Sequence, residues 1–265
     1  MDFREILNKQ NQIEAVAQRA ASFIRSHFED HSIETETKEN KNSLVSFVDR
    51  EAEKILVEGL TDLFPDFGFI TEEDTVDQDD TKPYYWIVDP LDGTTNFLHG
   101  LSQFSVSLAL SDRQNRIRMG WVLDVMREDL YIGIDGHGAT KNGKKLQMEE
   151  VPLEQALVST GFPYYTFENK DTYIKYLSLL MEMTRGIRRC GSAALDLVHT
   201  AEGVYGLFFE YDLQLWDIAA GAIIIKEAGG VVTDFDEDEE KWKKSGHIVA
   251  GNTGCHQEFF HRVVR

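Results

Sequence analysis

The chain has 265 residues, 42% of them hydrophobic and 28% charged, a composition that sustains one substantial core and excludes wholesale disorder. Against 27 basic residues stand 46 acidic ones, a formal charge of −19, so no direct contact with nucleic acid or an anionic membrane is expected, because like charges repel. The two cysteines, Cys190 and Cys255, imply no disulfide framework. The opening MDFREILNKQ lacks the apolar segment of an export signal, and no run reaches the ~20 apolar residues of a membrane helix. A cytoplasmic protein with reduced thiols is the expectation.

Phe3, Ile6, Leu7, Ile13, Val16, Ala17, Ala20, Phe23, Ile24 and Phe28 keep i, i+3, i+4 spacing, which predicts one amphipathic helix over residues 1–28. A polar stretch, 34–43, follows and contains Lys38 and Lys41. Ala52, Ile55, Leu56, Leu60 and Leu63 predict a helix over 50–63 that Pro65 ends. Aromatic and β-branched runs at 67–71, 84–88, 104–110, 117–125 and 130–134 predict strands, and Asn142-Gly143 is a hairpin signal. In the second half 157–160, 204–211, 231–235 and 248–250 read as strands. Residues 172–183, 192–201 and 216–228 read as helices, the last closed by Gly229-Gly230. The acidic run 236–240 reads as a solvated loop tip. This mixture predicts a layered α/β protein with more than one sheet.

Several familiar signatures fail. The segment from Gly138 to Lys145 nearly matches a phosphate-binding P-loop, but Lys145 stands where a Ser or Thr should hold magnesium, and the segment sits in the hairpin. The histidines show no ligand spacing, and neither cysteine has a CxxC partner.

The informative segment is Trp86-Ile87-Val88-Asp89-Pro90-Leu91-Asp92-Gly93-Thr94-Thr95-Asn96-Phe97. Two carboxylates at a strand end are costly to hold together without cations. Oxygen ligands of this kind suit magnesium or manganese rather than zinc. Pro90 fixes the turn, and Gly93 lets backbone N–H groups approach an anion. An Asx-turn stabilised by both aspartates is the plainer alternative. Glu72, Glu73 and Asp74 follow the strand 67–71 and read equally well as surface acids. Glu210 ends the strand 204–211, and Trp216-Asp217 opens the last long helix, where Asp217 also suits the helix dipole. Three acidic element ends converge more simply on one metal site than on three unrelated features.

These segments resemble the signatures of the inositol monophosphatase family: residues 86–97 the first, residues 216–230 the second, with Glu72-Glu73 and Gly191-Ser192-Ala193-Ala194 also matching. The resemblance covers essentially the whole chain. It implies an α/β, five-layer α/β/α/β/α sandwich of the sugar phosphatase type, in which 1–265 form a single domain with an N-terminal α+β half (about 1–150) and a C-terminal α/β half (about 151–265). The match resembles the bacterial type; members are lithium-sensitive, metal-dependent phosphomonoesterases, usually homodimers.

Residue by residue, the resemblance implies that Glu72, Asp89 and the Leu91 carbonyl hold a first Mg2+, and that Asp89, Asp92 and Asp217 hold a second, with Mn2+ an alternative. Thr94 pairs with Asp49 to orient the attacking water, and Glu72 assists. Gly93 and Thr94 amides receive the phosphate. Gly191, Ser192, Ala193 and Glu210 line the alcohol pocket with Asp92, and Thr160-Gly161-Phe162-Pro163 forms its wall. Lys38 belongs to a loop that contributes a third metal position in relatives. Ser43 and Ser46 stand where relatives carry aspartate and threonine, a departure confined to that loop. The implied activity is hydrolysis of inositol monophosphate. Sister enzymes act on fructose bisphosphate, NADP or 3′-phosphonucleotides, and some bacterial relatives serve as transcription-associated partners. A haloacid-dehalogenase-type phosphatase is disfavoured, since its D-x-D-G-T is here D-x-x-D-G-T.

Overall fold

The computed structural model describes residues 3–28, 35–37, 44–73, 76, 81–162 and 170–265. The expected first helix is two: α1 (Phe3–Leu7) and α2 (Gln10–His27). They part at Lys9, whose backbone leaves the helical region (φ −101°, ψ 8°). Its ammonium donates to the Leu63 carbonyl at 2.7 Å and lies 4.8 Å from the centre of the Phe64 ring. Here a tertiary contact overrides a continuous apolar period. Two short strands, β1 (Thr35–Thr37) and β2 (Leu44–Ser46), pair antiparallel; β1 falls within the stretch 34–43 read as polar, and β2 follows it. α3 (Phe47–Leu63) begins three residues before its expected start at 50, which brings Asp49 into its first turn.

A seven-stranded sheet follows: β3 (Gly68–Thr71), β4 (Tyr84–Asp92), β5 (Ser105–Asp112), β6 (Ile117–Asp124), β7 (Leu130–Ile134), β8 (Gly138–Lys141) and β9 (Lys144–Leu146), in that spatial order. The β3–β4 pair is parallel and the rest antiparallel. A short helix, α4 (Thr94–Leu98), leaves β4. The β8–β9 turn takes Asn142 and Gly143 at φ of 50° and 74°, the left-handed pair a tight hairpin demands. The near-match to a P-loop therefore lies in a β-hairpin, without the following helix that phosphate binding needs.

Strand alternation divides the core. Trp86 and Val88 of β4 join one apolar cluster with α2 and α3, while Ile87 between them joins a second, on the opposite face. That second cluster holds α6 (Ala193–Ala201) and α7 (Leu215–Glu227). The five-stranded sheet that closes it follows the order β11-β10-β12-β14-β13, built from β10 (Leu157–Thr160), β11 (Gly186–Arg188), β12 (Leu207–Glu210), β13 (Val231–Thr233) and β14 (Ile248–Gly251). A third cluster lies beyond this sheet, under α5 (Lys170–Met183) and α9 (Thr253–Phe259). The short α8 (Trp242–Ser245) precedes β14. The layers run α2/α3, sheet, α6/α7, sheet, α5/α9: the five-layer α/β/α/β/α sandwich that the family resemblance implied.

α7 fixes the site between the sheets. Ile218, Ile224 and Ile225 are fully buried, each contributing roughly 1.5–3 kcal/mol of hydrophobic stabilisation. Its small residues bring its backbone against the seven-stranded sheet. A Cβ added to Gly120 of β6 would lie 2.7 Å from the Ala220 carbonyl, and one added to Gly133 of β7 2.8 Å from the Ile224 Cα. That close seat carries the N-terminus of α7, with Asp217, to the end of β4.

Candidate active site

β4 supplies the first acids. The expected strand 84–88 runs on to Asp92, through a register shift against β5 between Asp89 and Asp92. Pro90 occupies this irregularity, where a residue without an N–H breaks no ladder bond. The Leu91 N–H donates to Asp89 Oδ1 at 2.9 Å, so the Asx-type contact of the plainer reading is present. It does not exhaust the carboxyl. Asp89, Asp92 and Asp217 each offer an oxygen within 4.8 Å of the others.

Each acid is anchored by a different element. Asp92 takes the N-terminus of α6: its Oδ2 accepts from the Ser192 hydroxyl and, at 2.9 Å, from the Ala194 N–H, while Oδ1 accepts from the Ala193 N–H at 3.2 Å. Ser192 meanwhile caps that helix, accepting from the Leu195 N–H at 3.3 Å. Ser192 and Ala193, implied as pocket lining, thus also hold a carboxylate in place. Asp217 accepts from the Gln214 N–H at 2.7 Å in a capping box, which orients its side chain at the α7 N-terminus. Glu72, just past β3, shares a hydrogen bond with the Asp89 carboxyl. Its own N–H donates to the Val88 carbonyl at 3.2 Å.

The electrostatics follow from this crowding. Burial, then the charges of Glu72, Asp92 and Asp217, push Asp89 well above the usual carboxylate range. Burial, Asp92 and Glu72 do the same to Asp217. Burial also raises Asp92, against the Ser192, Ala194 and Ala193 donors that favour its charged form. A dication at such a cluster inverts this balance by stabilising the ionised acids. The donors are all oxygen, so the cluster fits a hard cation of the magnesium or manganese kind and not zinc.

Beside the cluster, the Thr94 hydroxyl lies 2.8 Å from Asp49 Oδ1 and 3.0 Å from the Leu91 carbonyl. The shorter contact runs to a carboxylate, the stronger acceptor. Gly93 adopts φ 99° at the start of α4, and an added Cβ would meet the Gln103 carbonyl at 2.9 Å. Glycine alone meets both conditions. Asn96 donates to the carbonyls of Gln103 at 2.7 Å and Cys190 at 2.8 Å, tying α4 to the segment before α6.

A cleft of about 160 Å³ opens over these groups, lined by Glu72, Asp92, Thr94, Gly191, Glu210 and Asp217 among others. Glu210 ends β12 with 5% exposure, and no described residue hydrogen-bonds its carboxyl. Burial and the charge of Asp196 push it well above the usual range. A Cβ at Gly161 would fall 1.8 Å from Glu210 Oε1, so glycine there makes the space the carboxyl occupies. The Tyr173 hydroxyl holds the Gly161 carbonyl at 2.6 Å. The structure therefore brings together Asp49, Glu72, Asp89, Leu91, Asp92, Gly93, Thr94, Gly191, Ser192, Ala193, Glu210 and Asp217. Lys38, Asp74 and Pro163 lie outside the described residues.

Sequence reasoning passed over five lining residues, Arg189, Asp196, Asp212, Leu213 and Gln214. Arg189 stands two residues before Gly191, and Asp196 four residues after Ser192, one turn into α6. Proximity to the Gly191-Ser192 motif was the available signal for these two.

An all-oxygen acid cluster at the junction of two sheets and the helix layer between them defines a layered α/β protein with a candidate site for a hard cation. Residues 8–265 match the inositol monophosphatase family, and the chain belongs to it. Among curated relatives, the Nus factor SuhB of Pseudomonas aeruginosa is 39% identical over 244 residues, covering 90% of this chain and 89% of that protein. Among solved structures, the extragenic suppressor protein SuhB from Bartonella henselae superposes with a TM-score of 0.89 at 34% identity, covering 97% and 98% of the two chains. An inositol monophosphatase from Anabaena gives 0.84 at 29% identity, covering 97% and 95%.

Proposed function

We propose that this protein hydrolyses the phosphate monoester of inositol, releasing inositol and phosphate. The observation that carries the reading is the Asp89, Asp92 and Asp217 cluster within 4.8 Å, of which Asp92 and Asp217 line the cleft together with Thr94, the donor to Asp49. Asp89, Asp92 and Asp217 would hold one magnesium ion, and Glu72, Asp89 and the Leu91 carbonyl another; Mn2+ suits the same oxygens. Bound there, such cations neutralise phosphoryl charge and acidify water.

The chain's own groups do the rest. Thr94, donating to Asp49, presents a lone pair to a water and passes that water's proton toward the carboxylate. Glu72 assists the same proton transfer through the water. The first N–H groups of a helix have no intrahelical partner, and those at Gly93 and Thr94 receive the phosphate. Glu210 accepts hydrogen bonds from ring hydroxyls of the leaving alcohol. Positioning of this kind supplies most of the acceleration in phosphoryl transfer. Lithium sensitivity and a homodimer belong to this reading. So does a place in the cytoplasm; among the described residues no helix is long and apolar enough to cross a membrane.

The test is phosphate release from a panel: inositol monophosphate, fructose bisphosphate, NADP and a 3′-phosphonucleotide. Inositol monophosphate should give the highest kcat/KM. A clear preference for another member assigns the chain to a sister activity, and no release from any member overturns the phosphatase reading.

The name Nus factor borne by the Pseudomonas relative favours a second reading, association with transcription machinery. The charge of −19 directs that reading toward a protein partner rather than RNA. A gel shift with purified protein should show no RNA retardation; retardation at physiological salt would reverse that preference.

A further inference from the structure

α3 buries two acids one turn apart, Asp49 at 1% exposure and Glu53 at 0%. Their i, i+4 spacing sets both on one face of the helix. Asp49 accepts from the Thr94 hydroxyl. Glu53 serves a different segment: its Oε2 accepts from the Glu73 N–H at 2.8 Å. The sheet explains why that N–H depends on a side chain. β3 is an edge strand with β4 on one flank only, so no further strand receives an N–H that turns away from β4. The Glu72 N–H makes the last contact toward β4, to the Val88 carbonyl at 3.2 Å. The next N–H goes to Glu53. The peptide groups on both sides of the Glu72 Cα are therefore held, one by β4 and one by α3. Backbone dihedrals decide which rotamers a side chain can adopt, and the Glu72 carboxyl extends to a shared hydrogen bond with Asp89. Burying a carboxylate is costly, but the bond it accepts is shorter and stronger than one to a neutral oxygen.

We propose that Glu53 is a positioning residue: by fixing the Glu73 peptide it aims the Glu72 carboxyl at the cation that Glu72 shares with Asp89. This rests on the reading of Glu72 as a cation ligand. α3 then serves the site twice, through Thr94 with Asp49 and through Glu72 with Glu53. Groups that orient a metal ligand from behind are worth about ten- to a hundredfold in metal affinity.

The experiment titrates Mn2+ into the full-length protein after EDTA treatment, following the EPR signal of the free ion, for wild type, Glu72→Gln, Glu53→Gln and Glu53→Asp. Glu72→Gln identifies the binding step that belongs to Glu72. At position 53, Gln keeps an acceptor oxygen at the same reach and drops the charge. Asp keeps the charge but is one methylene too short for the Glu73 N–H. Glu53→Asp should therefore weaken the Glu72 step by about tenfold or more, and Glu53→Gln by under about threefold. The remaining steps should be unchanged, and both variants should melt in EDTA close to the wild type. Equal losses in the two variants, no loss in Glu53→Asp, or losses spread over every step would overturn the assignment. A Glu53→Asp variant that does not fold places Glu53 with the fold and overturns it as well. A Glu72→Gln variant that removes no step overturns the cation reading and the positioning role with it, whereas failure at position 53 alone leaves that reading standing. Normal Mn2+ binding without phosphate release overturns the phosphatase reading alone.

Discussion

Replacing Asp89 by Asn separates chemistry from folding with opposite signs. The carboxyl sits at 1% exposure among Glu72, Asp92 and Asp217. Asn has nearly the same shape, and its carbonyl still accepts from the Leu91 N–H, the contact that spans 2.9 Å in the wild type. What disappears is one charge from four crowded acids. Without a cation, that relieves repulsion, so the variant's Tm in chelator should equal or exceed the wild type's. With magnesium, the cluster loses the acid assigned to both cations. Losing a metal clamp costs several kcal/mol, and at ~1.36 kcal/mol per decade the rate should fall by about two to three orders of magnitude. Phosphate release at saturating magnesium, with thermal melts in EDTA, reads both. A folded variant keeping more than about a tenth of the wild-type rate would refute the bridging role.

Glu210→Gln leaves an amide that accepts at only one end, so inositol monophosphate hydrolysis should drop by about one to two orders of magnitude, with aryl phosphate changing under about threefold; equal losses would place Glu210 with the cations or the fold. Gly161→Ala puts a Cβ 1.8 Å from Glu210 Oε1, so it should cost about 1–3 kcal/mol of stability and weaken inositol monophosphate more than aryl phosphate; an unchanged KM and Tm would contradict the packing described. The raised Asp89 and Asp217 make the chelated protein pH-sensitive. A carboxyl whose folded pKa exceeds its unfolded value near 3.8 favours the fold below that value and loses the contribution as pH rises toward the folded pKa. Tm in EDTA should therefore fall as pH climbs through that window, and magnesium should flatten the slope; parallel curves would deny the coupling.

The site was legible where short motifs carried it. Asp89, Asp92, Gly93 and Thr94 share one segment, and Asp217 opens a helix whose small residues announce a close seat. The pairing of Thr94 with Asp49, 45 residues apart, was reached only through the resemblance, since no local period links the two. Residues acting through packing stayed hidden. Gly161 matters because Glu210 arrives against it from another strand. Asp196 reads in sequence as an ordinary helix residue, and only the structure shows it buried on the cleft wall with its Oδ1 left without a partner. Boundaries failed for similar reasons: Lys9 breaks the first helix to reach Leu63, and the strand expected over 204–211 shrinks to Leu207–Glu210 because the Val204 N–H bonds back to the His199 carbonyl of α6.

On the proposed function, the Asp89–Asp92–Asp217 cluster holds a divalent cation that hydrolysis requires. Phosphate release from inositol monophosphate, measured after exhaustive EDTA treatment and again after adding back magnesium or calcium, tests it most directly. Activity should vanish in chelator and return with magnesium, while calcium, with its larger and looser coordination shell, should restore little. Full activity in excess EDTA would contradict the account.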